Sequence, residues 1–373
     1  MNKIKVLIIF GTRPEAVKMA PIVKALKNDE EHFVTKICVT AQHRDMLDQV
    51  LRIFDIEPNY DLNIFQSGQT LTQITCKSIT GLEDVIEEVK PDLVLVQGDT
   101  STVFSGALAA FYHQVKIGHV EAGLRSGNLY SPYPEEANRR LTGVLTDFHF
   151  APTETSRSNL LREGYDDSKI FITGNTSIDA LKWVIDENYR FEDERLNRIS
   201  FENKKVILLT AHRRENIGEP MENIFSAVKE AAEKNKDVEV IYPMHLNPKV
   251  REIARRVFKD MENVHLIEPL DYLPFTNLMA KCYLVVTDSG GVQEEAPSLG
   301  KPVLVVRAET ERPEGIEAGT AKLAGTEKDV IYKEIDTLIN DEEEYRKMAN
   351  AVNPYGDGKA AEHIREAIKS VML

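Results

Sequence analysis

The chain has 373 residues, 42% hydrophobic and 28% charged, a size and balance that suit two globular, soluble domains better than a single core. A formal net charge of −14 argues against general binding to nucleic acid or to an anionic membrane surface, and no apolar run is long enough to span a bilayer. Three scattered cysteines, Cys38, Cys76 and Cys282, include no CxxC pair, so a zinc site and a disulfide framework are not expected; each reads as a reduced core residue of a cytoplasmic protein.

The apolar run Lys5–Phe10 reads as a buried first strand that leads straight into Gly11, not as a signal peptide. An amphipathic helix over Pro14–Leu26 follows, then a strand at Val34–Val39, a helix at His43–Phe54 and a long helix at Leu71–Val89, stopped by Pro91. Leu93–Val96, Ile117–Val120 and Phe148–Ala151 are the next strands. The second half repeats the pattern, with strands at Val206–Thr210, Val238–Tyr242, Val264–Ile267, Leu284–Thr287 and Val303–Val306. Helices are expected between them at Met221–Lys234, Pro248–Phe258, Phe275–Lys281 and Gln293–Leu299, and a closing helix near Lys359–Val371. Such alternation predicts parallel sheets covered on both faces. The charged stretch Asp186–Lys204 is the expected linker, giving domains at 1–185 and 186–355 and a closing segment at 356–373. In two doubly wound domains, ligands belong just beyond the carboxyl ends of the strands, in the crevice between domains.

Polar groups stand at those strand ends. Gly11-Thr12-Arg13-Pro14 follows the first strand and offers an arginine at a helix start, suited to an anion. Asp99 follows Leu93–Val96, with Thr100 or Ser101 as a cap for the next helix. Glu121 follows Ile117–Val120, and Glu135 and Arg139 share a face of a helix opening after Pro134. Three carboxylates and an arginine in one crevice predict acid–base chemistry; separately, each has a plain reading as a cap or a surface ion pair. In the second half, His212 and Arg213 follow Val206–Thr210, and His245 follows Val238–Tyr242. Ser289-Gly290-Gly291 joins a buried strand to a helix, a turn suited to a diphosphate, with Glu295 one turn further on. Neither GxGxxG nor GxxxxGK[ST] occurs, which argues against NAD or ATP.

In chain order, GTRPE (11–15), GDTST (98–102), HVEAGLR (119–125), PEEANR (134–139), HRREN (212–216), HLNP (245–248), SGGVQEE (289–295) and ERPE (311–314) resemble the non-hydrolysing UDP-N-acetylglucosamine 2-epimerases, from about residue 5 to 365. The resemblance implies a GT-B-like α/β fold, two Rossmann-like doubly wound domains facing across an interdomain cleft, with the closing helix crossing back to the first. It implies interconversion of UDP-GlcNAc and UDP-ManNAc by anti elimination of UDP through 2-acetamidoglucal. A homodimer is implied, with neither metal nor nicotinamide. Asp99, Glu121 and Glu135 are then the acid–base candidates, with Arg139 orienting and His212 assisting the leaving phosphate. Which carboxylate serves which sugar face stays open. Arg13, Ser289, Gly290, Gly291 and Arg312 are implied to hold the diphosphate, Glu295 the ribose, Phe275 the uracil, and Lys18 is a further contact.

Many members of the family are activated by UDP-GlcNAc in a second site, and Gln42, Gln69, Arg213 and His245 match its positions. Gly68 departs from the pattern, standing where many activated members carry arginine. The rival readings are a hydrolysing epimerase releasing ManNAc and UDP, a GT-B glycosyltransferase and an inactive UDP-sugar sensor.

Overall fold

Runs such as Leu93–Gln97 are buried at every position, the signature of strands covered on both faces. The computed structural model describes residues 3–41 and 44–373. The chain divides into two units, Met1–Lys182 with Tyr355–Leu373, and Trp183–Pro354.

The first unit is built on β1 (Ile4–Phe10), β2 (Phe33–Val39), β3 (Tyr60–Asp61), β4 (Leu93–Gln97), β5 (Lys116–Val120), β6 (Phe148–Ala151) and β7 (Ile170–Ile172). They pair in the order β3-β2-β1-β4-β5-β6-β7, all parallel. The order reverses between β1 and β4, where Val6 pairs with Leu93 and Ile8 with Leu95. At such a switch point the flanking loops diverge and leave a crevice beyond the strand ends. The core on one face joins Leu7 and Ile9 of β1 to Val94 and Val96 of β4 and to Leu82, Val85 and Ile86 of the helix Leu71–Val89. Each such side chain, fully buried, contributes roughly 1.5–3 kcal/mol. That helix starts on a reciprocal cap, Thr70 with Gln73, and ends at Lys90 in the left-handed region before Pro91.

The second unit is built on β8 (Lys205–Thr210), β9 (Val238–Pro243), β10 (Val264–Ile267), β11 (Leu284–Thr287), β12 (Val303–Val305) and β13 (Ala321–Leu323). Their order is β10-β9-β8-β11-β12-β13, again all parallel. It repeats the pattern of the first six strands of the other sheet, with the switch point between β8 and β11. Both units are Rossmann-like and doubly wound, the expected fold class.

Several expectations need correction. The stretch 186–204 is no linker but part of the second unit: Phe191 and Leu196 are buried and the Asp186 N–H donates to Asn277 Oδ1 at 2.8 Å. The chain passes between units at Lys182–Trp183. The helix expected from Phe275 begins at Tyr272, and the one expected from Gln293 opens at Gly290. Cys76 is exposed, whereas Cys38 and Cys282 are buried. The closing helix Ala360–Met372 belongs to the first unit and packs on the helix Arg13–Lys27. Its first free N–H groups, on Ala360 and Ala361, donate to the buried Asp179 carboxylate at 3.1 and 2.9 Å, a cap supplied from elsewhere in the chain. No helix among the described residues is long and apolar enough to cross a membrane.

Candidate active site

At the switch point of the first unit, the turn after β1 carries Gly11, Thr12 and Arg13, and the turn after β4 carries Gly98, Asp99 and Thr100. Glu15 joins the two turns. It is 2% exposed; Oε2 accepts the Gly11 and Thr12 N–H groups at 3.2 and 2.7 Å, and Oε1 accepts the Thr100 hydroxyl at 2.9 Å. Burial pushes its pKa up to about 7, and those hydrogen bonds pull the other way. Arg13 stands half-buried at the start of its helix.

Asp99 Oδ2 lies 2.6 Å from Arg139 Nη2, and its carbonyl accepts the Asn138 amide at 2.8 Å. Arg139 also reaches Glu136 Oε2 at 3.3 Å. Among the described residues Arg139 therefore pairs with Asp99 and Glu136, not with Glu135 one turn away. The reason is orientation: Glu136 points inward to accept the Ser126 N–H at 3.0 Å, while Glu135 stays half-buried in the helix's first turn. Burial alone would raise Glu136, but the Ser126 N–H, Arg140 and Arg139 outweigh it and hold the carboxyl below its ordinary range.

Glu121 follows β5 with φ +63°, a left-handed backbone few side chains adopt. Its carboxylate receives Lys18, Gln97 and Asn175, the last at 3.2 Å. Lys18 is thus a partner of a candidate carboxylate rather than a solvated side chain. Behind it, His119 bonds through Nε2 to the Gly98 carbonyl at 2.7 Å, and His149 lies beside it on β6. Burial pushes these imidazoles down to about 4 and about 3, so both are neutral at pH 7.

At the switch point of the second unit, Thr210 and Thr287 bond hydroxyl to hydroxyl at 2.5 Å, and the next residue, Asp288, is wholly buried. Asp288 Oδ2 accepts the N–H groups of His212 and Arg213, both at 2.8 Å, and the Asn216 amide at 3.1 Å. His212 Nδ1 lies 3.3 Å from the other oxygen, too poorly aligned for a full hydrogen bond. Burial lowers the His212 pKa against the pull of Asp288. The His245 ring stacks against His212, centroids 5.6 Å apart.

Ser289 precedes the helix Gly290–Glu295, and its N–H is bound by Thr287 Oγ1 at 2.9 Å. A Cβ at Gly290 would stand 3.9 Å from Nη2 of both Arg213 and Arg312, so two guanidiniums flank this turn. Arg312 is held there by Glu294, which is 3% exposed; Arg213 donates through Nε to the Asp288 carbonyl at 3.3 Å. Gly291 is exposed; Glu295, the last residue of the helix Gly290–Glu295, and Phe275, on the helix Tyr272–Lys281, are half-buried.

Arg213, matched above to an activator site, thus stands with Arg312 at the diglycine turn. Gln42 lies outside the described residues. Gln69 is half-buried just before the helix Leu71–Val89. Gly68 has φ +75°, so an arginine there would be strained. Arg125 and Arg307 are engaged elsewhere, with Glu163 at 2.7 Å and Glu215 at 3.0 Å. Sequence reasoning missed Glu15, Gln97, Asn175, Asp288 and Glu294 as parts of the site. For Asp288 the signal was present, an acid directly after a buried strand; Asn175 carried none.

Fold and site together define a two-unit doubly wound α/β protein, with a carboxylate cluster at one switch point and an arginine-flanked diglycine turn at the other. The family model for UDP-N-acetylglucosamine 2-epimerase matches residues 24–369. The UDP-N-acetylglucosamine 2-epimerase of Escherichia coli K12 is 56% identical, covering 98% of each chain. The S. aureus MnaA–UDP co-structure is 54% identical with a TM-score of 0.87, over 98% of this chain and 96% of that one. The UDP-GlcNAc 2-epimerase of Neisseria meningitidis bound to UDP-GlcNAc is 51% identical with a TM-score of 0.86, over 98% of this chain and all of that one (100%). The chain belongs to the UDP-N-acetylglucosamine 2-epimerase family.

Proposed function

We propose that the protein is a cytoplasmic, homodimeric, non-hydrolysing epimerase that interconverts UDP-GlcNAc and UDP-ManNAc with neither nicotinamide nor metal. The supporting observation is the different arming of the two switch points: Asp99 and Glu121 among cations and amides in one unit, Arg213 and Arg312 beside Gly290 in the other. The C2 proton of the sugar is not next to a carbonyl, so its direct removal is costly. Anti elimination avoids that. A carboxylate takes the C2 proton, the C2–H electron pair becomes the C1=C2 bond of 2-acetamidoglucal, and the C1–O pair leaves with UDP. UDP then adds back at C1 while C2 is reprotonated on the other face, so nothing is oxidised and no water is consumed.

Charge grows on the diphosphate as C1–O breaks. Arg312, Arg213 and Arg13, with the Ser289–Gly291 turn, are suited to stabilise it. His212, whose backbone N–H is held by Asp288, is suited to donate to the leaving oxygen. Asp99, Glu121 and Glu135 supply the base and acid, with Arg139 orienting Asp99. Glu295 takes the ribose and Phe275 the uracil. Activation by UDP-GlcNAc through Gln42, Gln69, Arg213 and His245 loses a phosphate contact at Gly68. A hyperbolic rate curve, with UDP-ManNAc epimerised unaided, is the result that removes it.

The test is incubation with UDP-GlcNAc in D2O, without NAD or added metal, followed by proton NMR. UDP-ManNAc carrying deuterium at C2 is expected. Free ManNAc plus UDP would replace this reading with a hydrolysing epimerase.

A further inference from the structure

We propose that Gln97 and Asn175 are positioning residues for Glu121, fixing its carboxylate in one orientation and favouring its ionised form. The inference rests on the function proposed above. Glu121 sits on a left-handed backbone at the end of β5, which turns its side chain back toward β4 and the loop after β7. Gln97, the last residue of β4 and 3% exposed, donates to Oε2. Asn175, also 3% exposed, donates through Nδ2 to Oε1 at 3.2 Å.

The Asn175 amide cannot turn round at no cost. Its Oδ1 accepts the Ser177 N–H at 3.0 Å at the start of the helix Thr176–Val184, so the nitrogen is the end that faces Glu121. The Asn175 N–H in turn donates to the carbonyl of Tyr355 at 2.7 Å. Tyr355 is the first residue of the segment returning to this unit. The returning chain therefore helps to set where this amide stands.

Lys18, Gln97 and Asn175 all give hydrogens to the carboxylate, which a protonated carboxyl accepts less well. Charged or titratable groups placed around it include Lys18 from the helix Arg13–Lys27 and the neutral His119 on β5, which the charges of Arg125 and Arg139 help to keep neutral.

The experiment compares wild type with Asn175→Ser and Gln97→Met: kcat and KM for UDP-GlcNAc from pH 5 to 9, C2 exchange in D2O, and the thermal midpoint. Serine keeps an oxygen to start the helix but is too short to reach Glu121. For both variants the acidic limb of kcat is expected to move up by about half to one pH unit. KM should stay within about two-fold, and the Asn175→Ser midpoint within a few degrees. An unmoved acidic limb in both variants, or a kcat loss equal at every pH, overturns the inference while leaving the function standing. A wild type that exchanges no deuterium at C2 overturns the function and takes this inference with it.

Discussion

The two units use one device in two ways. In each, a pair of threonines bonds near the switch point: Thr40, after β2, with Thr102 in the helix Ser101–Tyr112, and Thr210 at the end of β8 with Thr287 at the end of β11. In each, a buried carboxylate accepts the two N–H groups of the turn after the central strand. In the first unit that carboxylate is Glu15, from the helix the turn opens; in the second it is Asp288, from the neighbouring strand's end. Around this shared frame the first unit places Asp99, Glu121 and Glu136, and the second places His212, Arg213 and Arg312. Topology thus fixes where a ligand can be met, and the side chains standing there decide whether the place suits proton transfer or an anion.

The sharpest way to break this division is Asp99→Asn. Its kcat is expected to fall by about 10²–10⁴ while UDP binding, measured by calorimetry, stays intact. Loss of UDP binding as well would remove Asp99 from the proton-transfer role. The converse is Arg312→Lys, which keeps a charge beside Glu294 but not the planar fork. UDP affinity should fall by about ten-fold or more, with thermal stability nearly kept.

Glu15→Gln tests the frame itself. Between the ordinary carboxylate pKa of 4.5 and about 7, the folded chain keeps a proton on Glu15 that the unfolded chain has lost. The Glu15 contribution to stability is therefore full at low pH and is lost as pH rises through that window. The glutamine variant should lose this dependence and be more stable than wild type at pH 8 by about 1–3 kcal/mol, read from denaturant midpoints. A wild-type pH profile matching the variant's would show Glu15 ionised at little cost.

The smallest effect is expected from His149→Phe. A buried neutral histidine with its pKa near 3 contributes stability that is whole above the unfolded value of 6.5 and is lost as pH falls below it. The phenylalanine variant should match wild type at pH 7.5 and lose less between pH 6.5 and 5, by about 1 kcal/mol. Equal acid sensitivity would move the effect to His119.

Much of this was written locally. Leu93–Val96 and Val303–Val305 announce themselves as buried strands because both faces are covered and the apolar run is unbroken. Leu71–Val89 announces itself by its period and its cap. The edge strands Tyr60–Asp61, Ile170–Ile172 and Ala321–Leu323 do not, since two or three residues on a half-covered sheet edge carry too little pattern. Asp99, Glu121, His212 and the diglycine turn could be singled out because a polar group after a buried strand stands beyond a sheet's carboxyl end. That reasoning depends only on chain order.

Partners across the fold do not follow from order. Arg139 was expected beside Glu135 and takes Asp99, because helix rotation turns Glu136 inward and points the guanidinium across to β4's loop. Asn175 meets Glu121 from 54 residues away, and Asp179 caps a helix that begins 181 residues later. The sequence by itself determined which segments become strands and helices and which chemistry stands at their ends, since both depend on neighbours along the chain. Only the tertiary structure decided which carboxylate each cation and amide would hold, because burial and hydrogen-bond geometry are set by elements that meet in space and not in sequence.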